Sequence, residues 1–233
     1  MKQQKPFLAG ILLFMTGLAA CSSTEIGNSR DVNQDRIYMD YQIDYDEAAN
    51  NVILNFKYRF AGPAGTTLVL NEPSRAELDA VKLVVDSTEF SGAFYQAEKP
   101  FSRHSGKHII SFIDMTGKKL EDSFEIAPFN TDALPANTHR DKDLVITYKA
   151  DALGFNDLVE INSEHTDSSF TYRSGHTGNR IVIPAKELLR QRGETLALSC
   201  SVYREVPLQQ TTAEGGSLKM RYKLKPMKIK LLP

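Results

Sequence analysis

"IYMDYQIDY", Ile37 to Tyr45, sets Ile37, Met39, Tyr41, Ile43 and Tyr45 at alternate positions, with Asp40, Gln42 and Asp44 between them. "VILNFKYRF", Val52 to Phe60, repeats the arrangement with Val52, Leu54, Phe56, Tyr58 and Phe60 against Asn55, Lys57 and Arg59. Successive side chains of a strand point to opposite faces. Apolar–polar alternation therefore describes a strand with one face in a core and the other in water, as in an antiparallel sheet. The intervening "DYDEAANN", Asp44 to Asn51, reads as the polar hairpin joining the two.

Outward from this pair the same punctuation continues. "AGPAG" (61–65) is a turn and "TTLVL" the next strand; "KLVVD", "AFYQA", "HIISFID" and "SFEIA" follow, with "DMTGKK" closing a hairpin between the last two. Residues 129–143, within "PFNTDALPANTHRDKD", break the rhythm with proline and polar residues and read as a linker. Strand signals resume in "LVITYKA", "DLVEINSE", "SFTYRS", "RIVIP", "ETLALSCSVYREV" and "SLKMRYKLKPMKIKLLP". One short helix is expected, opened by Pro184 and stopped by Gly193, crossing between sheets. Two groups of about six or seven short strands give an all-β chain of two immunoglobulin-like β-sandwich domains, 37–128 and 144–233. A single larger sandwich or jelly roll is the alternative. The chain has no tryptophan, so the Cys–Trp–Cys core of antibody-type domains is absent.

The first twenty residues, MKQQKPFLAGILLFMTGLAA, combine two lysines with an apolar run from Phe7 to Ala20. As a helix that run measures roughly 21 Å, short of a hydrocarbon core of ~30 Å. It reads as a secretory signal peptide, residues 1–20. "LAAC", Leu18 to Cys21, resembles the lipobox of bacterial lipoproteins: an aliphatic residue, two small ones and a cysteine. The resemblance covers the first 21 residues and implies cleavage before Cys21, with acyl chains on its sulfur and new amino terminus. More than one chain suits stable anchoring, because a single acyl chain binds marginally. The residue after Cys21 is Ser22 rather than the Asp that tends to retain such proteins at the inner membrane, which favours the outer membrane. Residues 21–36 are polar and read as a tether able to reach ~55 Å when extended. Lipobox, tether and tandem sandwiches together resemble uncharacterised envelope lipoproteins.

Removing the signal takes two lysines and no acid from 28 basic and 29 acidic residues, leaving a net charge of about −3. That balance excludes a nucleic-acid-binding domain of the usual basic kind. With Cys21 acylated, Cys200 has no intramolecular partner; its strand places it beside Leu196, Leu198 and Val202 as a small core hydrophobe.

The last strand carries Lys219, Arg221, Lys223 and Lys225, then Lys228 and Lys230, with a phase shift at Lys225–Pro226 that a bulge would produce. These six are candidates for binding a polyanion, but a solvated strand face whose lysines discourage edge pairing is the favoured reading, since a half-buried strand needs the same alternation. His104 and His108 could form half of a metal site, but zinc needs three or four convergent ligands, and His139, His165 and His176 are scattered. Asp44–Asn51 is rich in oxygen ligands yet lacks the glycine and spacing of an EF-hand. No G-x-S-x-G elbow, His-Glu-x-x-His helix or phosphate loop occurs. For sugar stacking the chain offers tyrosines such as Tyr95, Tyr172 and Tyr203. The sequence thus points to a non-catalytic, lipid-anchored envelope protein without a cofactor, presenting a β-surface to a protein or glycan. A carbohydrate-binding or glycan-processing accessory is the alternative.

Overall fold

The computed structural model describes residues 25–103, 106–125, 129–149, 153–154, 156–163, 169–175 and 178–233. The chain opens with β1 (Ile26–Asn28), β2 (Ile37–Asp46), β3 (Asn51–Phe60), β4 (Thr66–Val69), β5 (Arg75–Leu78) and β6 (Val81–Lys82). β7 (Val85–Thr88), β8 (Gly92–Pro100), β9 (Lys107–Ile113), β10 (Lys119–Glu125), β11 (Asn137–His139) and β12 (Leu144–Thr147) follow. The remainder comprises β13 (Leu158–Ser163), β14 (Thr171–Gly175), β15 (Arg180–Ile183), helix α1 (Ala185–Arg190), β16 (Thr195–Pro207), β17 (Gly216–Lys223) and β18 (Met227–Leu232).

The fold is all-β and layered as sandwiches, as the alternation implied. One twelve-stranded sheet runs β1-β4-β3-β2-β17-β16-β13-β14, with β7 and β8 joining through β3, and β11 and β18 through β16. The sheet β10-β9-β5-β6 covers one half of it, and the pair β12-β15 covers the other. The first core joins Met39, Tyr41 and Ile43 of β2 and Leu54, Phe56 and Tyr58 of β3 to Ile110 and Phe112 of β9, all almost wholly buried. The second joins Val159, Ile161, Leu196, Leu198 and Ile229 to Ile146, Ile183 and the helical Leu188. Burying each such side chain stabilises by about 1.5–3 kcal/mol, so the alternation on β2 and β3 sets both register and face.

Two features differ from the sequence reading. β17 lies beyond the expected boundary at Leu144, yet it pairs in parallel with β2, and its Leu218 belongs to the first core. β16 is the cause: its thirteen residues begin in the second core at Leu196, and the chain reaches the first at Leu208. The segment 144–233 therefore contributes to both sandwiches.

The second difference is the tether. The extended segment expected over 21–36 is folded from Ile26 onward. β1 pairs in parallel with β4, and buried Ser29 accepts the Asn71 N–H at 2.9 Å through its Oγ. Gln34 then donates to the carbonyls of Ser29 and Val32 at 2.7 and 2.9 Å, which closes the segment against the body. Short polar residues satisfying backbone groups do here what apolar mass does elsewhere.

Local chemistry explains the connections. In the β9–β10 turn the Asp114 carboxylate accepts N–H groups of Thr116 and Lys118 at 2.8 and 3.0 Å, and Gly117 supplies a φ of +83°. Helix α1 carries the chain from β15 to β16, between the two layers of the second sandwich. Arg140 closes its C-terminal end by donating to the carbonyls of Leu188 (3.3 Å), Gln191 and Gly193 (2.7 Å). The segment expected as a linker is thereby tied to the second half.

Candidate functional site

The outer face of the large sheet is the surface that both halves share. Register places Glu98 (β8), Ile53 (β3), Asp44 (β2), Arg221 (β17), Tyr203 (β16) and Leu158 (β13) in one transverse row. Gln42, Lys219 and Glu205 form a row on one side, and Asp46, Lys223, Ser201 and Glu160 a row on the other. Around Tyr203 the face dips into an open groove of ≈ 320 Å³ lined by Gln42, Asp44, Lys219 and Arg221.

Ion pairs cross the strands of this face. Arg221 Nε lies 2.7 Å from Asp44 Oδ1, and Lys223 Nζ lies 3.2 Å from Asp46 Oδ2. Burial works against the Asp46 charge, but the Ala49 N–H, Lys223 and the Ala48 N–H outweigh it and hold the carboxyl below the usual range. Glu160 is buried on the same face. Burial again opposes its ionisation, and Asn162 (2.9 Å), Arg173 (2.6 Å) and Tyr203 (3.3 Å) together hold its pKa down. The Tyr203 hydroxyl thus anchors one end of the ring to Glu160 while the ring itself lies half-buried at the groove.

The six basic candidates do share the outward side. Lys219, Arg221 and Lys223 lie on β17, Lys228 and Lys230 on β18, and exposed Lys225 in the break between the two strands. They do not form an uninterrupted cationic stripe. Arg221 and Lys223 engage Asp44 and Asp46, Lys219 stands in register with Glu205, and Glu47 accepts the Lys225 N–H at 3.0 Å. The phase shift at Lys225–Pro226 is real: both strands run antiparallel along β16, interrupted where the Leu224 N–H donates to the Cys200 carbonyl at 2.9 Å.

The three candidate tyrosines separate. Tyr95 is buried in the first core, its hydroxyl accepting the Leu70 N–H at 2.7 Å. Tyr172 packs inward against Phe170, with ring centroids 5.7 Å apart. Of the three, Tyr203 alone reaches the open face. Cys200 is fully buried, and burial pushes its thiol up to about 12. His108 Nδ1 sits 2.8 Å from Asp79 Oδ2 and stacks near Phe124, while His139 bonds to the Pro233 carbonyl oxygen at 3.0 Å. His104, His165, His176 and the lipidation candidate Cys21 lie outside the described residues. In the Asp44–Asn51 hairpin, Asp46 Oδ1 accepts the Ala48 and Ala49 N–H groups at 3.0 and 3.1 Å, which shapes the turn. Among the described residues no group of three His, Cys, Asp or Glu side chains is arranged to hold a metal ion.

Sequence reading reached Tyr203, the basic residues and, as an oxygen ligand of the first hairpin, Asp44, but gave Gln42 and Glu160 no role. Their contribution depends on β17 pairing with β2 across most of the chain, and no local motif encodes that.

No protein-family model matches this chain, and no curated protein matches it in sequence. Among solved structures, murine CEACAM1b is similar over 84% of this chain and 100% of its own, with 9% identity and a TM-score of 0.27. The SGBP-B protein of the Bacteroides ovatus mixed-linkage glucan utilization locus, solved with a mixed-linkage heptasaccharide, is similar over 100% of this chain and 71% of its own. Its identity is 10% and its TM-score 0.23. At these scores neither likeness bears on the site.

Proposed function

We propose that this chain is a non-catalytic, lipid-anchored protein of the bacterial cell envelope, held at the outer membrane by acyl chains on Cys21, that presents the outer face of its large sheet to a macromolecular partner. The observation that carries the reading is the transverse row from Glu98 to Leu158, which spans both halves and opens into the groove at Tyr203. Among the described residues, three groups that catalysis could use are engaged in the fold, which supports this reading: the Cys200 thiol is buried, Glu160 has three donors, and His108 is held by Asp79.

A glycan is the second reading of the partner. Tyr203 offers a ring face beside a carboxamide (Gln42), a carboxylate (Asp44) and two cations (Lys219, Arg221). That combination suits a sugar, because its C–H face packs on an aromatic ring while its hydroxyls exchange hydrogen bonds with charged and amide groups. The balanced charge of the face suits a neutral polymer better than a polyanion.

The test uses washed envelopes from cells lacking the protein and the labelled soluble body beginning at Ser22. Saturable binding is expected. Its loss after periodate treatment assigns a glycan, and its loss after protease treatment assigns a protein. Absence of saturable binding overturns the reading. Mass spectrometry of the mature chain tests the anchor, with acyl chains on Cys21 expected and an unmodified Cys21 contradicting it.

A further inference from the structure

Folding of the expected tether moves the body close to the membrane. Only Cys21 to Glu25 separates the proposed anchor from the folded chain, a reach of at most ~14 Å. If Cys21 is acylated, the corner around Glu25 is therefore held within that distance of the lipid surface.

That corner has an unusual surface. Glu25 is fixed through Thr67, whose N–H donates to the Glu25 carbonyl at 3.0 Å and whose Oγ1 hydrogen-bonds to the same oxygen at 3.0 Å. Thr67 Oγ1 also accepts the Ala93 N–H at 2.8 Å, which ties in the β7–β8 hairpin. Gly92 packs so tightly there that a Cβ would fall 2.2 Å from Thr67 Oγ1, and its φ is +66°. The tip of this hairpin is Phe90, 89% exposed, the most exposed large hydrophobic side chain among the described residues. Ile26, adjoining Glu25, is 45% exposed. The turn at Ala61–Gly65, which leads directly into Thr66 and Thr67, carries no charge and exposes Ala61, Pro63 and Ala64.

We infer that this corner is a lipid-contacting surface, with Phe90 inserted into the interface of the membrane that holds Cys21. The inference rests on the acylation reading above and adds what the body does once anchored. An exposed aromatic at a hairpin tip is costly in water and suited to the headgroup–acyl boundary. Glu89 beside it favours a zwitterionic surface over an anionic one. Contact at this corner and at Cys21 would restrict tumbling of the body on its short tether, so the sheet face is presented in a limited range of orientations.

The chain has no tryptophan, so a single introduced indole reports its own surroundings. The full-length acylated protein carrying Phe90→Trp is placed in phosphatidylcholine vesicles containing brominated acyl chains. Ala49→Trp serves as control, in the turn at the far end of the ten-residue β2–β3 pair, about 33 Å away. Phe90→Trp emission should shift to the blue and lose roughly half its intensity, since interfacial apolar groups sit ~5–10 Å deep. Ala49→Trp should do neither, and the soluble body carrying Phe90→Trp should stay unshifted. Acyl chains present with no quenching of Phe90→Trp would overturn the inference and leave the anchor standing. An unacylated Cys21 would overturn both. A blue shift in the soluble body that grows with protein concentration would assign the patch to self-association instead.

Discussion

Arg204 holds Asp157 with two nitrogens: Nε lies 3.0 Å from both carboxylate oxygens and Nη2 lies 2.6 Å from Oδ2. Asp157 is buried, and Oδ2 also accepts the Gly154 N–H at 2.8 Å. Arg204 sits where β16 leaves the second core and approaches the first, so the pair marks the junction of the two sandwiches. Tyr222, opposite Val202, packs against both cores at the same place.

Arg204→Ala strands a buried carboxylate and should destabilise the protein by about 3 kcal/mol, because the cost of an uncompensated buried charge exceeds the worth of the pair. Replacing both partners, Arg204→Met with Asp157→Asn, should cost clearly less. Urea unfolding of the two variants decides this; equal losses would show that the charge left behind is not the dominant effect.

The parallel pairing of β17 with β2 depends on Gly216. A Cβ there would lie 2.6 Å from the Met39 carbonyl oxygen and 2.4 Å from Leu208 Cδ1. Gly216→Ala should cost about 1–3 kcal/mol through overpacking, whereas Gly175→Ala, with nothing within 4 Å, should be close to neutral. Since β16 and β17 serve both cores, fluorescence of the core tyrosines and far-ultraviolet circular dichroism should give one coincident unfolding transition. Two separated transitions would show that the halves fold independently.

Cys200 should resist alkylation in the native soluble body and react fully in denaturant, because the thiolate is the reactive form and burial disfavours it. Cys200→Ala should cost about 1–2 kcal/mol for the lost packing. Rapid native labelling would contradict the buried assignment.

Asp122 supplies the pH prediction. Burial raises its pKa, against the Gln209 and Gln210 N–H groups it accepts at 2.5 and 3.4 Å. A carboxyl raised in the folded state destabilises the protein above its folded pKa, and that penalty disappears below the unfolded value. Asp122→Asn keeps an acceptor oxygen and removes the charge. It should match or exceed wild type in Tm at pH 7, with the difference shrinking as pH falls toward 4. A large loss of Tm at pH 7 would mean that the ionised form is needed.

The fold class was legible because β2 and β3 alternate over nine residues each with little interruption. Burying one face of such a strand leaves little choice of register. The helix was legible from Pro184 and Gly193. The sharing of β16 and β17 was not, because a parallel pair is set by which strand edge is left open once both halves have folded. The tether misled for a related reason: Ser29 and Gln34 are held by hydrogen bonds to backbone, which leave no apolar periodicity to read. Among the candidate residues, Tyr203 and Cys200 could be assigned to opposite faces of one strand. Glu160 and Asp44 became part of the site only through pairing distant in sequence.

The central claim is that the outer sheet face around Tyr203 is the binding surface. The direct measurement is the affinity of the soluble body for envelopes lacking the protein, compared across Tyr203→Phe, Tyr203→Ala and Arg221→Glu, with Val145→Ala, exposed on β12 in the layer covering the second core, as control. Tyr203→Phe and Val145→Ala should stay near wild type. Tyr203→Ala and Arg221→Glu should each weaken binding at least tenfold, about 1.4 kcal/mol, with Tm little changed. Wild-type affinity in both of these variants would contradict it.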